Sequence, residues 1–135
     1  MEREVMFRGW NFEEKKWVYG YHSRSQTGMH TIDVYKPSRY CECNFVIPAS
    51  IGQGTACALN GVEIYEGDLI SIDPETEEPF YEVVWHEGGF QLKLINPDHM
   101  GMMWGRLYRL FDADMKSLKS KAKIVANKFE NPELL

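Results

Sequence analysis

The chain has 135 residues, 44% apolar and 26% charged, with a formal net charge of −5, which suits one globular domain or two small units without covalent staples. That negative balance disfavours a generic nucleic-acid binder, whose affinity comes mostly from neutralising phosphates. No apolar run nears the roughly 18 residues of a membrane span and no signal-peptide core is visible. The three cysteines, an odd number, fit a reducing compartment better than a disulfide framework. The expectation is a cytoplasmic protein with no membrane partner.

Alternation with period two dominates the first two-thirds of the chain. Val5–Trp10 reads as a strand, Asn11–Lys15 as a polar turn, and Lys16–Tyr19 as the returning strand. After the turn-forming loop Ser23–Gly28, the stretch Met29–Tyr35 sets Met29, Thr31, Asp33 and Tyr35 against His30, Ile32 and Val34. A further strand is expected from Tyr40 to Ile47, stopped by Pro48. Gly52-Gln53-Gly54 lacks the strand-then-helix context of a phosphate cradle and predicts a tight bend with one residue at positive φ. Asn60-Gly61 is a strong hairpin signal, and Gly67-Asp68 marks a corner before a strand reaching Ile72. The clearest hairpin runs Tyr81–His86, turns through Glu87-Gly88-Gly89, and returns with Phe90, Leu92 and Leu94 on one face.

One helix is predicted within Met102–Leu118, where Leu107, Leu110, Phe111, Met115 and Leu118 recur at spacings of three or four. Lys123–Phe129 reads as a last strand. Asn131-Pro132 reads as the cap and first residue of a closing helical turn.

No nucleophile elbow, Walker loop, dinucleotide fingerprint or zinc-protease helix is present, so no catalytic residue is assigned and a non-enzymatic role is expected. Cys41-x-Cys43 on a strand puts both thiols on one face. With Cys57 alone left over and no ligand spacing among His22, His30, His86 and His99, the sulfurs read as small structural hydrophobes and no metal or cofactor is expected. Asn96-Pro97-Asp98-His99 reads as a turn leading into a methionine-rich stretch, Met100, Met102 and Met103.

Aromatic side chains beside cations stand out instead. Phe7, Arg8, Trp10, Trp17, Tyr19 and Tyr21 crowd the N-terminal hairpin, with Phe7, Trp10 and Trp17 expected in its core. Trp104, Arg106, Tyr108 and Arg109 precede the base-only run Lys116, Lys119, Lys121 and Lys123, and together they form the candidate interaction surface. Asp73, Glu75, Glu77 and Glu78 form an acidic run that reads as a solvated loop.

Three segments resemble the YopX family of phage and prophage proteins. They are Arg3–Trp10, then Ile51–Thr55 with Asn60-Gly61-Val62-Glu63-Ile64-Tyr65-Glu66-Gly67-Asp68-Leu69-Ile70, and the closing stretch Lys123–Leu135 with its Glu130-Asn131-Pro132-Glu133-Leu134-Leu135. Gly54, Ala126 and Phe129 depart from the family pattern, and Gly20–Ser50 has no counterpart motif. The resemblance implies a mostly-β phage accessory protein that tends to self-associate, and it implies no activity. Phe7, Trp10, Gly52, Gly61, Ile64, Tyr65, Gly67, Asp68, Asn127 and Pro132 are the motif residues, read as structural.

The resulting expectation is a single YopX-like domain, with an N-terminal β subdomain at 1–50 and a barrel-like subdomain at 51–135. The fold would be mostly β, with a small SH3-like barrel in the C-terminal half and one short helix. Its partners would be protein: a homo-oligomer, or an unknown host or phage protein. A nucleic-acid-binding barrel module using the basic and aromatic patch is the alternative.

Overall fold

The structure is a computed structural model that describes residues 5–37, 40–96, 104–111 and 116–135, with residues 104 and 116–118 described by backbone only. The chain divides into two compact units, Met1–Gly54 and Thr55–Leu135.

Unit 1 is an antiparallel sheet of β1 (Phe7–Asn11), β2 (Lys16–Arg24), β3 (His30–Tyr35), β4 (Cys41–Phe45) and the first residues of β5 (Gly52–Leu59). Its spatial order is β4-β3-β2-β1-β5. The first turn forms because Asn11 Oδ1 accepts the N–H groups of Glu13 and Glu14 at 3.0 and 3.1 Å, with Lys15 at φ 54°. Alternation then sorts the side chains. Val18, Ile32 and Val46 are buried, with Phe7 and Ile51 packed on them. Trp10 and Trp17 stand on the other face as an edge-on pair 5.4 Å apart. They are therefore not part of the core expected for them. The inner face is tight. A Cβ on Gly9 would come within 2.9 Å of Val46, and one on Gly20 would strike the Asp33 carbonyl oxygen.

Unit 2 holds the rest of β5, then β6 (Val62–Tyr65), β7 (Asp68–Ser71), β8 (Tyr81–His86), β9 (Gly89–Leu94), β10 (Trp104–Arg106), helix α1 (Lys116–Lys121) and β11 (Lys123–Asn127). Its five-stranded sheet has the order β10-β9-β8-β7-β11, and no pairing among the described residues joins the two outer strands. Ile64, Ile70, Val83, Leu92, Leu107 and Leu110 are among the side chains of its apolar core. Each fully buried aliphatic there contributes roughly 1.5–3 kcal/mol.

Both turns signalled by glycine form as expected. Asn60 and Gly61 take φ 53° and 80°, and Glu87 and Gly88 take 50° and 78°, the left-handed pair that matches hairpin twist. The Gly67-Asp68 corner also forms. Gly67 has φ 95°, and the buried Asp68 carboxylate accepts the Tyr65 N–H at 2.8 Å. Lys128 N–H donates to the Gly67 carbonyl at 2.8 Å. β11 pairs with β7 from Lys123↔Ser71 to Asn127↔Asp68, with a bulge between Ile124 and Ala126. The end of the chain thus closes on the corner.

Several expectations fail. Gly52 and Gly54 lie in β5, and the left-handed residue of that segment is Ala56, at φ 64°. The single helix expected within Met102–Leu118 is instead β10, a 3-10 turn at Leu107–Phe111 and the six-residue α1. Its stripe still buries Leu107 and Leu110, because a 3-10 turn also brings residues three apart onto one face. The last strand stops at Asn127, short of Phe129. Pro132–Leu134 is a 3-10 turn, but Asn131 gives it no side-chain cap. The Asn127 side chain shapes that region instead, its Oδ1 accepting the Phe129 and Glu130 N–H groups at 3.1 and 2.9 Å. Residues 97–103, with the Pro97-Asp98-His99 turn and the three methionines, lie outside the described residues, as does Met115.

Candidate interaction surface

The patch expected from the sequence lies in unit 2, where its members divide. Arg106, Tyr108 and Arg109 line one open cavity of about 410 Å³ with Glu87, Gln91 and Gly105. Tyr108 is 60% exposed there, and the Arg106 guanidinium lies against Gly89. Lys119 is elsewhere, its Nζ 4.9 Å from the centre of the Phe111 ring. Lys121 lines a second cavity of about 380 Å³ with Asp73, Pro74, Thr76 and Glu78, so part of the base-only run meets the acidic loop. Lys123 begins β11 opposite Ser71. The side chains of Trp104 and Lys116 lie outside the described residues.

The motif residues sit in strands and turns. Phe7 packs on the unit 1 core, and Trp10 N–H donates to Ser50 Oγ at 2.7 Å. Gly52 faces Arg8 across β1 and β5. Ile64 and Tyr65 are buried, while Pro132 opens the last turn.

A surface not anticipated as such lies on the outer face of unit 1. The registers Tyr21↔Asp33, Asp33↔Cys43 and Tyr35↔Cys41 put side chains from three strands on that face. It carries Tyr19 and Tyr21 from β2, Thr31, Asp33 and Tyr35 from β3, and Cys41, Cys43 and Phe45 from β4. Tyr19, Tyr21, Tyr35 and Phe45 are all exposed, Tyr35 to 66%, and Tyr21 and Tyr35 meet edge-on at 5.6 Å. Toward β1, the Arg8 guanidinium lies 4.7 Å from the centre of the Trp17 ring. The alternation of Thr31, Asp33 and Tyr35 was visible in the sequence. What joins them to Tyr21 and the cysteines is the strand register.

The two thiols lie closer than their separation along a strand requires, with Cys41 Sγ 3.9 Å from Cys43 Sγ. Asp33 completes a cluster whose three ligand atoms lie within 4.8 Å of one another. The hydrogen bond with Cys41, and then the negative charge of Asp33, raise the Cys43 thiol to about 11. The charge of Cys41 in turn raises the Tyr35 phenol above its ordinary value. No other group of three such ligand side chains appears among the described residues.

On the opposite face, His22 and His30 stack 5.0 Å apart, with His22 Nε2 2.7 Å from His30 Nδ1. Burial, and then the neighbouring His30, lower the His22 pKa below 6.5, against a smaller opposing pull from Asp33. A lowered histidine leaves the folded state binding fewer protons than the unfolded chain, so stability falls as pH drops through 6.5 toward the folded value. The melting temperature should therefore decline between pH 7.5 and pH 5.5, and His22→Gln should flatten that decline. An equally steep profile in the variant would assign the decline to other groups.

A profile of the YopX protein family matches residues 6–135. The match spans nearly the whole chain and takes in the strands of both antiparallel sheets. The protein is a member of the YopX family. Among solved structures, the crystal structure of protein EF1440 from Enterococcus faecalis is similar in fold, with a TM-score of 0.52 at 20% identity, covering 99% of each chain. No curated protein matches the chain.

Proposed function

We propose that the protein is a non-enzymatic binding module of a phage or prophage, acting in the host cytoplasm on a protein partner, a second copy of itself included. One observation carries this reading: the outer face of unit 1 presents Tyr19, Tyr21, Tyr35 and Phe45 to solvent on adjacent strands. Single exposed apolar residues are ordinary, whereas several aromatics gathered on one rigid face mark an interaction surface. Tyrosine adds contact area at low entropic cost and carries a hydroxyl for a polar rim. On this reading unit 2, whose five-stranded antiparallel sheet packs on one apolar core, is an SH3-like small barrel. No helix among the described residues is long and apolar enough to cross a membrane.

The test combines light scattering across a concentration series with capture of the tagged chain from phage-producing lysate, with and without nuclease. The wild type should form a defined oligomer or retain a protein after nuclease treatment. Tyr35→Ser should weaken that association tenfold or more, as interface aromatics do, without changing the melting temperature. Unaltered association in a Tyr21→Ser, Tyr35→Ser double variant would refute the assignment of the face.

A second reading draws on the cavity lined by Arg106, Tyr108 and Arg109, a small set suited to stacking and phosphate contact. It requires capture that collapses with nuclease and binding that weakens steeply with salt. Glu87 in the same cavity works against it.

A further inference from the structure

We propose that Asp33, Cys41 and Cys43 form a binding site for a thiophilic divalent cation of the zinc and cadmium kind, on the outer face of the unit 1 sheet. The site begins with sequence spacing. Residues two apart on a strand point to one side, with Cα atoms about 6.7 Å apart. Here the two thiols converge to 3.9 Å. A tetrahedral zinc with bonds of about 2.3 Å holds two sulfurs about 3.8 Å apart. The thiols therefore already stand at the spacing of a chelating pair.

Strand pairing supplies the third ligand. Asp33 lies directly opposite Cys43, and one carboxylate oxygen and both sulfurs lie within 4.8 Å of one another. A tetrahedral zinc holds a carboxylate oxygen about 3.5 Å from each sulfur, so the cluster contracts where the metal binds. Thr31 Oγ1 donates to Asp33 Oδ1 at 2.9 Å, and a hydrogen bond of this kind orients a ligating carboxylate. The fourth corner points outward past exposed Cys43, where water completes the shell. On binding, two thiol protons leave as two sulfur–metal bonds form. The formal charge of the cluster stays at about −1, since three anionic ligands then hold a dication. Two thiolates select zinc or cadmium over the oxygen-seeking magnesium and calcium.

Two other roles fit less well. A disulfide needs Cβ atoms about 3.8 Å apart and sulfurs at about 2.05 Å. β4 is held extended by an unbroken register from Thr31↔Phe45 to Tyr35↔Cys41, so forming that bond means tearing the ladder. Nor do the sulfurs fill a core, since Cys41 is half-buried and Cys43 exposed. The structural role expected for them from sequence is not the one their positions suit.

The experiment titrates the reduced, full-length chain with Cd²⁺, following thiolate-to-cadmium charge-transfer absorption, and then competes with Zn²⁺. One cadmium per chain should bind, reversibly to chelator, and raise the melting temperature. Cys41→Ser or Cys43→Ser should lower affinity at least a hundredfold, and Asp33→Asn about tenfold or more. Cys57→Ser, in unit 2, should leave the titration unchanged. Circular dichroism of each variant separates a lost ligand from a lost fold. Alkylation of the wild type provides a check that needs no variant: bound cadmium should protect Cys41 and Cys43 from the reagent. Absence of the absorption band, a band that survives Cys43→Ser, one cadmium shared by two chains, or unprotected thiols would each overturn the site.

Discussion

Gly20→Ala should destabilise unit 1 severely, by about 2–3 kcal/mol or more, at the upper end of what overpacking costs. The added methyl meets the Asp33 carbonyl oxygen and lies 3.2 Å from Ile32 Cγ2. Neither neighbour can yield. The carbonyl belongs to the backbone of β3, which pairs with both β2 and β4, and Ile32 is fully buried. Relief would require the two strands to part where Val18 and Ile32 pack together. Thermal melting or chemical denaturation should show the loss. Because β3 carries Asp33 and Tyr35, the variant should also lose cadmium binding at temperatures where the wild type is folded. A Gly28→Ala control has open space, with the nearest atom, of the Arg24 guanidinium, at 3.7 Å, but must hold φ 86°. Its cost should stay at about 1–2 kcal/mol. Equal melting temperatures for Gly20→Ala and wild type would mean that β2 and β3 are not held as tightly as the structure has them.

Asp68→Ala should have an effect of comparable size in unit 2, about 2–3 kcal/mol. The carboxylate is 2% exposed and accepts the Tyr65 N–H at 2.8 Å. Removing it strands a buried backbone donor at the Gly67 corner, and a stranded donor costs about 1–3 kcal/mol. The corner also holds β11, whose end pairs Asn127 with Asp68 and whose next residue donates to Gly67. Loosening it should expose the end of the chain to protease as well as lower the melting temperature. Asp68→Asn keeps an oxygen in position and should recover more than half of the loss. A cost for asparagine equal to that for alanine would mean that the charge, not the hydrogen bond to Tyr65, holds the corner.

These two sites show what the sequence discloses. The Gly67-Asp68 corner was legible because a left-handed residue followed by a short acceptor carries its own local mechanism. The Tyr81–Leu94 hairpin was equally plain, since its alternation and its Glu87-Gly88 turn agree. Gly20 was not legible. Its reason for being glycine is a carbonyl oxygen on another strand, fixed by a register that no local pattern states. β5 departs from the expectation for a related reason: its Gly52 and Gly54 look like bend residues, yet Gly52 is paired opposite Arg8 on β1. The spacing of Leu107 and Leu110 suits either an α-helix or a 3-10 turn, and the chain forms the second at Leu107–Phe111, where both leucines are buried.

The outer-face cluster lay between these cases. That Cys41 and Cys43 share a face followed from alternation alone. That Asp33 joins them needed the β3–β4 pairing, in which Tyr35 meets Cys41 across a five-residue connection. Taking Lys36–Tyr40 as that connection would have placed Asp33 opposite Cys43 from sequence. The tyrosines could be counted beforehand, but only the sheet order shows that β2 and β3 bring Tyr21 and Tyr35 together.

Among the described residues strand β4 ends the unit 1 sheet, with β3 as its single neighbour in the strand order. Its amides can therefore exchange with deuterated solvent through fraying of one ladder, without the opening of the whole unit that an interior strand needs. Residues 41–45 become a built-in reporter. Whatever settles on the tyrosine face or draws the two thiols toward Asp33 ties the outermost strand to its neighbour, and exchange along that one segment should slow before any other part of the molecule registers the event.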